Sequence, residues 1–215
     1  MTPAKAMAMW TGAILTAVCA AAAAAQAPKA VDPNADWPCI QHKVLKLTAA
    51  QMWDGPPVDD LEGWRDNAEI GKLIPTLTSR RVPLEQAVAA VEAFAAAQPK
   101  EKRDEALKQL FAGLLVAVNV DRAVVMSGIE RFQKRQRARA AAIERKGEAI
   151  RKLKERAAGD EKARAEIAAA EEKYNWDVRV FTDRQQTLPL ACEIPVLIEQ
   201  RLFAVAREIR GRMQD

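Results

Sequence analysis

One stretch of the chain constrains the fold more than any other: residues 122–158 contain no proline, and mostly apolar or small side chains recur there every three or four residues. The recurring positions are Val125, Ile129, Phe132, Gln136, Ala140, Ile143, Gly147, Ile150, Leu153 and Ala157. This spacing is that of one face of an α-helix, and charged residues occupy the other faces. The pattern therefore predicts one helix about 54 Å long.

A second stripe with the same period follows a break at Gly159-Asp160 and continues to Pro189. Its members are Ala163, Ile167, Ala170, Tyr174, Val178, Phe181, Gln185 and Leu188. Two long helices joined by a tight glycine turn predict an antiparallel coiled-coil hairpin over residues 122–188. Near the turn both stripes hold mostly Ala, Ile and Gly, so we expect a thin tip of low stability.

Shorter helices are predicted around the hairpin, within a helical domain that we place at residues 58–215. Asn67 is suited to cap one helix and Pro83 to begin another, while Lys102–Val118 has an apolar face broad enough for the central helix of a core. Pro195 is suited to begin the last helix. Alternation of apolar and polar residues never runs past a few positions, so the predicted fold is all-α.

The first 25 residues have the features of a secretory signal peptide. A single cation, Lys5, precedes an uncharged apolar run that ends in small residues. Cleavage after Ala25 fits best; cleavage after Ala27 would leave Pro28 next to the cut. A lipid anchor on Cys19 is a weaker alternative, because the residues before it lack the expected small side chain. The prediction places the mature protein in the periplasm or outside the cell.

Cleavage would leave Cys39 and Cys192 as the only cysteines, and an even count in an oxidising compartment predicts one disulfide. This bond would staple an extended, proline-rich arm, residues 26–57, to the small helical body. Trp37 and Trp53 in the arm are expected to pack against that body. The alternative for the two indoles is an aromatic surface that binds a partner.

Catalytic groupings are scarce in this sequence. The mature chain has one histidine, His42, and two serines, Ser79 and Ser127, in different contexts, so a Ser-His-Asp or Cys-His system is not expected. No second metal ligand stands near His42, and phosphate-binding glycine loops are absent, so neither a metal nor a cofactor is predicted. The alternative is a carboxylate-dependent envelope hydrolase. Its candidate acids are Glu62, Glu69, Glu85 and Glu92.

Charge is concentrated in residues 131–156, which hold eleven basic and three acidic side chains although the formal net charge of the chain is only +4. Acidic residues of the facing helix are expected to neutralise part of this excess. The sharper interpretation is that an exposed cluster docks on an acidic partner. The candidate residues are Lys134, Arg135, Arg137 and Arg139.

A protein partner or an anionic envelope component fits the predicted compartment better than nucleic acid, because no aromatic residues are interleaved with the cations for base stacking. A homodimer formed through the hairpin stripes is an alternative. No transmembrane segment is expected after signal cleavage, since Asn119, Asp121 and Arg122 interrupt the apolar run before them. The sequence therefore predicts a non-enzymatic binding, accessory or structural protein that presents a coiled-coil hairpin to an envelope partner.

Overall fold

Helices account for nearly all regular structure in the computed structural model, which describes residues 36–156 and 160–214 and has no strand among them. The chain divides into two units, Met1–Asp32 and Pro33–Asp215. All described residues belong to the second unit. The predicted signal peptide, with its cleavage positions and Cys19, lies outside the described residues, as does the turn glycine Gly159. The all-α class is confirmed for the described part.

Five helices of eleven or more residues, one short helix and one 3-10 turn make up the described part. In chain order they are α1 (Ala49–Met52), the 3-10 turn (Gly63–Arg65), α2 (Ala68–Thr78), α3 (Leu84–Ala97), α4 (Lys100–Arg156), α5 (Glu161–Gln186) and α6 (Leu188–Gly211). Asn67 caps α2 as predicted, because its side-chain oxygen accepts hydrogen bonds from the backbone N–H groups of Glu69 and Ile70. Pro83 precedes α3.

The central helix α4 is 57 residues long and unbroken. The two helical segments predicted at Lys102–Val118 and at residues 122–158 are joined in this one helix. The Asn119 amide accepts from the Leu47 N–H (2.8 Å) and donates to the Leu47 carbonyl (3.0 Å). Polar side chains at this point therefore hold the arm in place and leave the helix backbone undisturbed.

An 18-residue window of α4 is apolar enough, by length and composition, to cross a membrane, with a mean hydropathy of 1.7. Of that window, 44% is buried inside the protein. The central helix of a folded core satisfies the same test of length and hydropathy. In α4, Leu107, Leu110, Phe111 and Leu114 are almost completely buried by neighbouring helices.

The last helix begins earlier than predicted, since α6 starts at Leu188 and contains Pro195 in its interior. Pro189 stands in the first turn of α6, where a missing backbone N–H costs nothing. Only Thr187 separates α5 from α6, and its own backbone is helical (φ −83°, ψ −13°), so α6 follows α5 with no loop between them. Pro195 therefore lies within α6 and does not mark its beginning.

The hydrophobic core lies between the first half of α4 and helices α2, α3 and α6. Its most completely buried apolar side chains are Ile70, Leu77, Val91, Leu107, Leu110, Phe111, Leu114, Leu202, Val205 and Ile209. Trp53 of the arm stacks on Phe111 with ring centroids 4.4 Å apart. Gly113 allows Trp64 to approach α4, because a Cβ on Gly113 would lie 2.9 Å from the Trp64 ring.

The disulfide between Cys39 and Cys192 is confirmed, and it joins residues 153 positions apart. The Gln41 side chain donates to the Cys192 carbonyl beside it. Further along the arm, the buried Arg122 guanidinium donates to the Val44 carbonyl at 3.1 Å. Asn119 then holds Leu47, so the arm is anchored at successive points along α4 and α6. A disulfide of this kind fits an oxidising compartment.

Beyond the core, the second half of α4 lies against α5. Lys146 forms an ion pair with Asp177, and Lys154 forms one with Glu171 at 2.5 Å. Gly147 faces the Tyr174 ring, from which an added Cβ would be 3.3 Å away. These contacts join the second half of α4 to the middle of α5.

Candidate functional site

The four cations predicted to dock on a partner do not form one surface. Lys134 and Arg135 are exposed on neighbouring positions of α4. Arg137 is ion-paired with Asp36 of the arm, with 2.9 Å between its Nη1 and the Asp36 Oδ1. Arg139 is half-buried, and its Nη1 is buried without a hydrogen-bond partner in the described structure. Side chains two positions apart on a helix point in directions that differ by about 200°, so Arg137 and Arg139 lie on opposite flanks of α4.

A different set of cations shares one face of α4. Arg131 and Arg145 are exposed and, at 100° per residue, they lie within about 60° of the direction of Lys134. Neither of them has an ion-pair partner among the residues that the structure describes. The sequence already held this signal, but it appears only when cations are grouped by helical period instead of by nearness in sequence.

Other cations of the basic stretch are neutralised, as expected for a facing acidic helix. The hydrogen bond from the Lys146 ammonium lowers the pKa of Asp177 on α5. Within α4, Arg151 binds both Glu148 and Glu155 at 2.8 Å, and its hydrogen bond lowers the pKa of Glu148. Pairs this exposed contribute little to stability but reduce the local excess of positive charge.

The two tryptophans of the arm lie in different environments. Trp53 is buried in the core, where its indole N–H donates to the Pro56 carbonyl at 2.7 Å, so little of its ring is left for a partner. Trp37 is half-buried, and its indole N–H donates to the Gln41 carbonyl at 2.8 Å. Packing is thus the role that the structure gives Trp53.

Sequence reasoning missed a third tryptophan, Trp176 on α5, which is 63% exposed. Lys173 and Arg179 stand three residues before and after it, so the three side chains share one face of the helix. The signal was available, because Trp176 lies midway between Tyr174 and Val178 of the apolar stripe and must point away from α4. A large exposed indole between two cations is suited to bind a partner.

An open groove of about 670 Å³ runs beside the disulfide. It is lined by Pro38, Cys39, Ile40, Gln41, Gln185, Leu188, Pro189, Cys192, Glu193, Val196, Leu197 and Gln200. Ile40 stands fully exposed at its edge, and Leu197 is 47% exposed. The lining is largely apolar and brings no pair of carboxylates together. This groove is a surface for apolar contact and has no arrangement for acid-base chemistry.

The candidate carboxylates of a hydrolase lie on the surface, and Glu62, Glu69, Glu85 and Glu92 are all exposed. Exposed carboxylates remain hydrated, whereas the predicted hydrolase would hold its acid in a desolvated cleft. The Ser127 hydroxyl donates to the Ala123 carbonyl within its own helix. Within residues 36–156 and 160–214, His, Cys, Asp and Glu side chains form no group that could hold a metal ion.

Buried polar side chains occur where α4 leaves the core. Arg122 is 2% exposed and pairs with Glu199 at 2.5 Å, while its Nε and Nη1 find no partner in the described structure. Gln136 is also 2% exposed, and its Nε2 has no partner there. Side-chain oxygens of Gln133 and Gln185 are buried and unpaired too. Polar layers of this kind set the register of paired helices in coiled coils.

No known protein family, no curated protein and no solved structure matches this chain. The geometry of the described residues therefore carries the functional argument.

Proposed function

We propose that this is an exported, non-enzymatic binding or accessory protein whose α4 and α5 form an antiparallel coiled-coil hairpin that is presented to an envelope partner. The observation that carries the proposal is the continuity of α4. Its first half is the central helix of the disulfide-tied core, and its second half extends beyond that core with α5 beside it.

The contacts between α4 and α5 support the hairpin. The ion pairs of Lys146 with Asp177 and of Lys154 with Glu171 have the register of two antiparallel helices joined near residue 159. Helices paired in this way bury a narrow stripe and leave their outer faces to solvent. Such a shape offers much surface for little core, as expected for a part whose role is contact.

The outer face around Trp176 is the surface that we propose meets the partner. The indole supplies apolar area, and Lys173 and Arg179 supply positive charge on either side of it. Aromatic and arginine side chains are enriched among the residues that dominate binding energy. We expect the partner to be an acidic protein surface or an anionic envelope component.

Export to the periplasm or beyond the cell rests on the predicted signal peptide at residues 1–25 and is supported by the disulfide. Cys39 and Cys192 are far apart in sequence and tie the arm to α6. A bond of this kind persists in an oxidising compartment. A fusion of the first 40 residues to a reporter that is active only after export tests this part of the proposal.

The experiment that tests the function is photo-crosslinking in cells from Asn175, an exposed position beside Trp176. We expect capture of one dominant envelope protein or an anionic envelope polymer, and we expect Trp176→Ala to reduce the yield about tenfold. A crosslinker at Phe203 of α6, also half exposed, is the matched control. Equal capture from both positions, or none from Asn175, would contradict the proposal.

A further inference from the structure

A row of exposed valines runs along the middle of α4. Val116, Val120 and Val124 are 39%, 59% and 64% exposed. Their spacing of four residues places all three side chains on one ridge of the helix. One turn further on, an added Cβ at Gly128 would meet nothing within 4 Å, so the ridge ends in open space. A contiguous apolar ridge in the centre of a helix is suited to contact between macromolecules.

An acidic segment covers the same face of α4 just before this ridge. Residues 54–69 hold six acidic side chains and one basic one. The segment is fixed to α4 through Trp64, whose backbone N–H donates to the Gln109 side chain at 2.9 Å and whose ring lies over Gly113. At 100° per residue, Gln109 and Gly113 lie within about 20° of the direction of Val120. Asp59 lines a small groove together with Val116.

A basic segment continues the same face just after the ridge. Arg131, Lys134 and Arg135 lie within about 60° of the direction of Val120. All three are exposed, and the described residues provide no ion-pair partner for them. The face thus carries negative charge, then valines, then positive charge, in that order along α4.

The acidic and basic segments lie at equal distances from Val120 along α4. Gln109, which holds the acidic segment, lies eleven residues before Val120, and Arg131 lies eleven residues after it. The two positions are separated by about 33 Å along the helix, several times the screening length of about 8 Å at physiological salt. The two charged segments therefore do not neutralise each other within one chain. A second copy turned through 180° about an axis at Val120 would bring opposite charges together at both ends.

We infer that the ridge is an interface with a second copy of this chain, in an antiparallel dimer with its twofold axis near Val120. Val116 of one copy then meets Val124 of the other, and the basic segment of each copy meets the acidic segment of its partner. This arrangement is closed and uses the same surface twice, as twofold dimers do. It differs from a dimer through the hairpin stripes, because those stripes already face each other in α4 and α5.

The interface is independent of the proposed function, which uses the outer face of α5 around Trp176. Three valines and a few ion pairs per copy make a small contact, so we expect a dissociation constant of about 1–100 µM. Charged pairs at the ends should set the orientation and make association depend on salt.

The test is sedimentation equilibrium of the exported protein over a range of concentrations. We expect a dimer that dissociates on dilution, and about tenfold weaker association when NaCl is raised from about 50 mM to about 500 mM. Val120→Glu would place two like charges on the axis and should weaken association at least about tenfold. Leu190→Glu is the matched control, because Leu190 of α6 is 64% exposed, as Val124 is, and lines neither of the grooves to which Val116 and Val124 belong.

Charge exchange tests the orientation. Lys134→Glu with Arg135→Glu should weaken the dimer, and so should Asp60→Lys with Glu62→Lys. All four substitutions in one chain should restore it, because every contact is again between opposite charges. A chain that is monomeric at about 1 mM would overturn the inference. So would a dimer that survives Val120→Glu, a four-site variant that stays monomeric, or a monomer that uses the ridge to bind lipid vesicles.

Discussion

Removing the disulfide should lower the stability of this protein by an amount that its position in the chain sets. The perturbation is the double substitution Cys39→Ala with Cys192→Ala, which leaves no unpaired thiol behind. The bond closes a loop of 153 residues. In the chain-entropy treatment a loop of that length constrains the unfolded chain by about 5 kcal/mol, and this value is an upper bound because the unfolded chain is already partly compact.

The assay is urea unfolding followed by circular dichroism at 222 nm. With a denaturant slope of about 2 kcal/mol/M, a loss of about 4–5 kcal/mol moves the midpoint by about 2 M. Reduction of the unsubstituted protein should give the same shift, which controls for the alanines themselves. In the folded state, Arg122 and Asn119 still hold the arm at Val44 and Leu47, so hydrogen exchange should increase only before Val44. A loss below about 1 kcal/mol, or increased exchange throughout the core, would refute the reasoning.

For three further substitutions, single contacts in the structure predict whether the protein becomes more or less stable. Asn119→Ala leaves the N–H and C=O groups of Leu47 unpaired and should lower the free energy of unfolding, measured in urea, by about 2 kcal/mol. Asn119→Gln should not restore this stability, because its amide is displaced by one methylene. Gly113→Ala should destabilise the folded protein, since the new Cβ would lie 2.9 Å from the Trp64 ring. Gly71→Ala in α2 is the matched control: its new Cβ would meet nothing within 4 Å, so it should stabilise the protein by about 0.5–1 kcal/mol. A higher melting temperature for Gly113→Ala than for Gly71→Ala would contradict this. Lys146 lowers the pKa of Asp177, so the stability that this pair contributes is present at neutral pH and is lost as the pH falls through the lowered pKa. Hydrogen exchange of the α5 amides should therefore become faster below about pH 4. Asp177→Asn should remove this pH dependence.

Much of the fold was accessible from local signals. The disulfide followed from a count of two cysteines, the cap of α2 from the identity of Asn67, and the pairing of two long helices from their apolar period. The anchoring role of Asn119 and Arg122 was not accessible, because no local pattern reveals their partners in the arm. Those partners, Leu47 and Val44, stand more than 70 residues earlier in the chain.

Some features of the candidate surfaces were likewise predictable from local sequence patterns, and others were not. Cations were grouped by nearness in sequence, so Arg137 and Arg139 were joined to Lys134 although the helix turns them to opposite flanks. The exposure of Trp176 followed from its place outside the apolar stripe and was available from the period alone. The acidic segment at residues 54–69 reaches the face of α4 only through the contact of Trp64 with Gly113, which no local pattern reveals.

The unbroken course of α4 also bears on how such a protein can change its size. Starting a helix is the costly step, and adding turns to one that already exists is nearly neutral. The part of α4 that pairs with α5 grows out of a helix whose first turns are fixed in the core, so it needs no nucleus of its own. Inserting seven residues into α4 and seven into α5 near residue 159 would keep the apolar stripes in phase and lengthen the pair by about 10 Å. The length by which α4 and α5 extend beyond the core can therefore change in steps of one heptad, while the core and its disulfide stay unchanged.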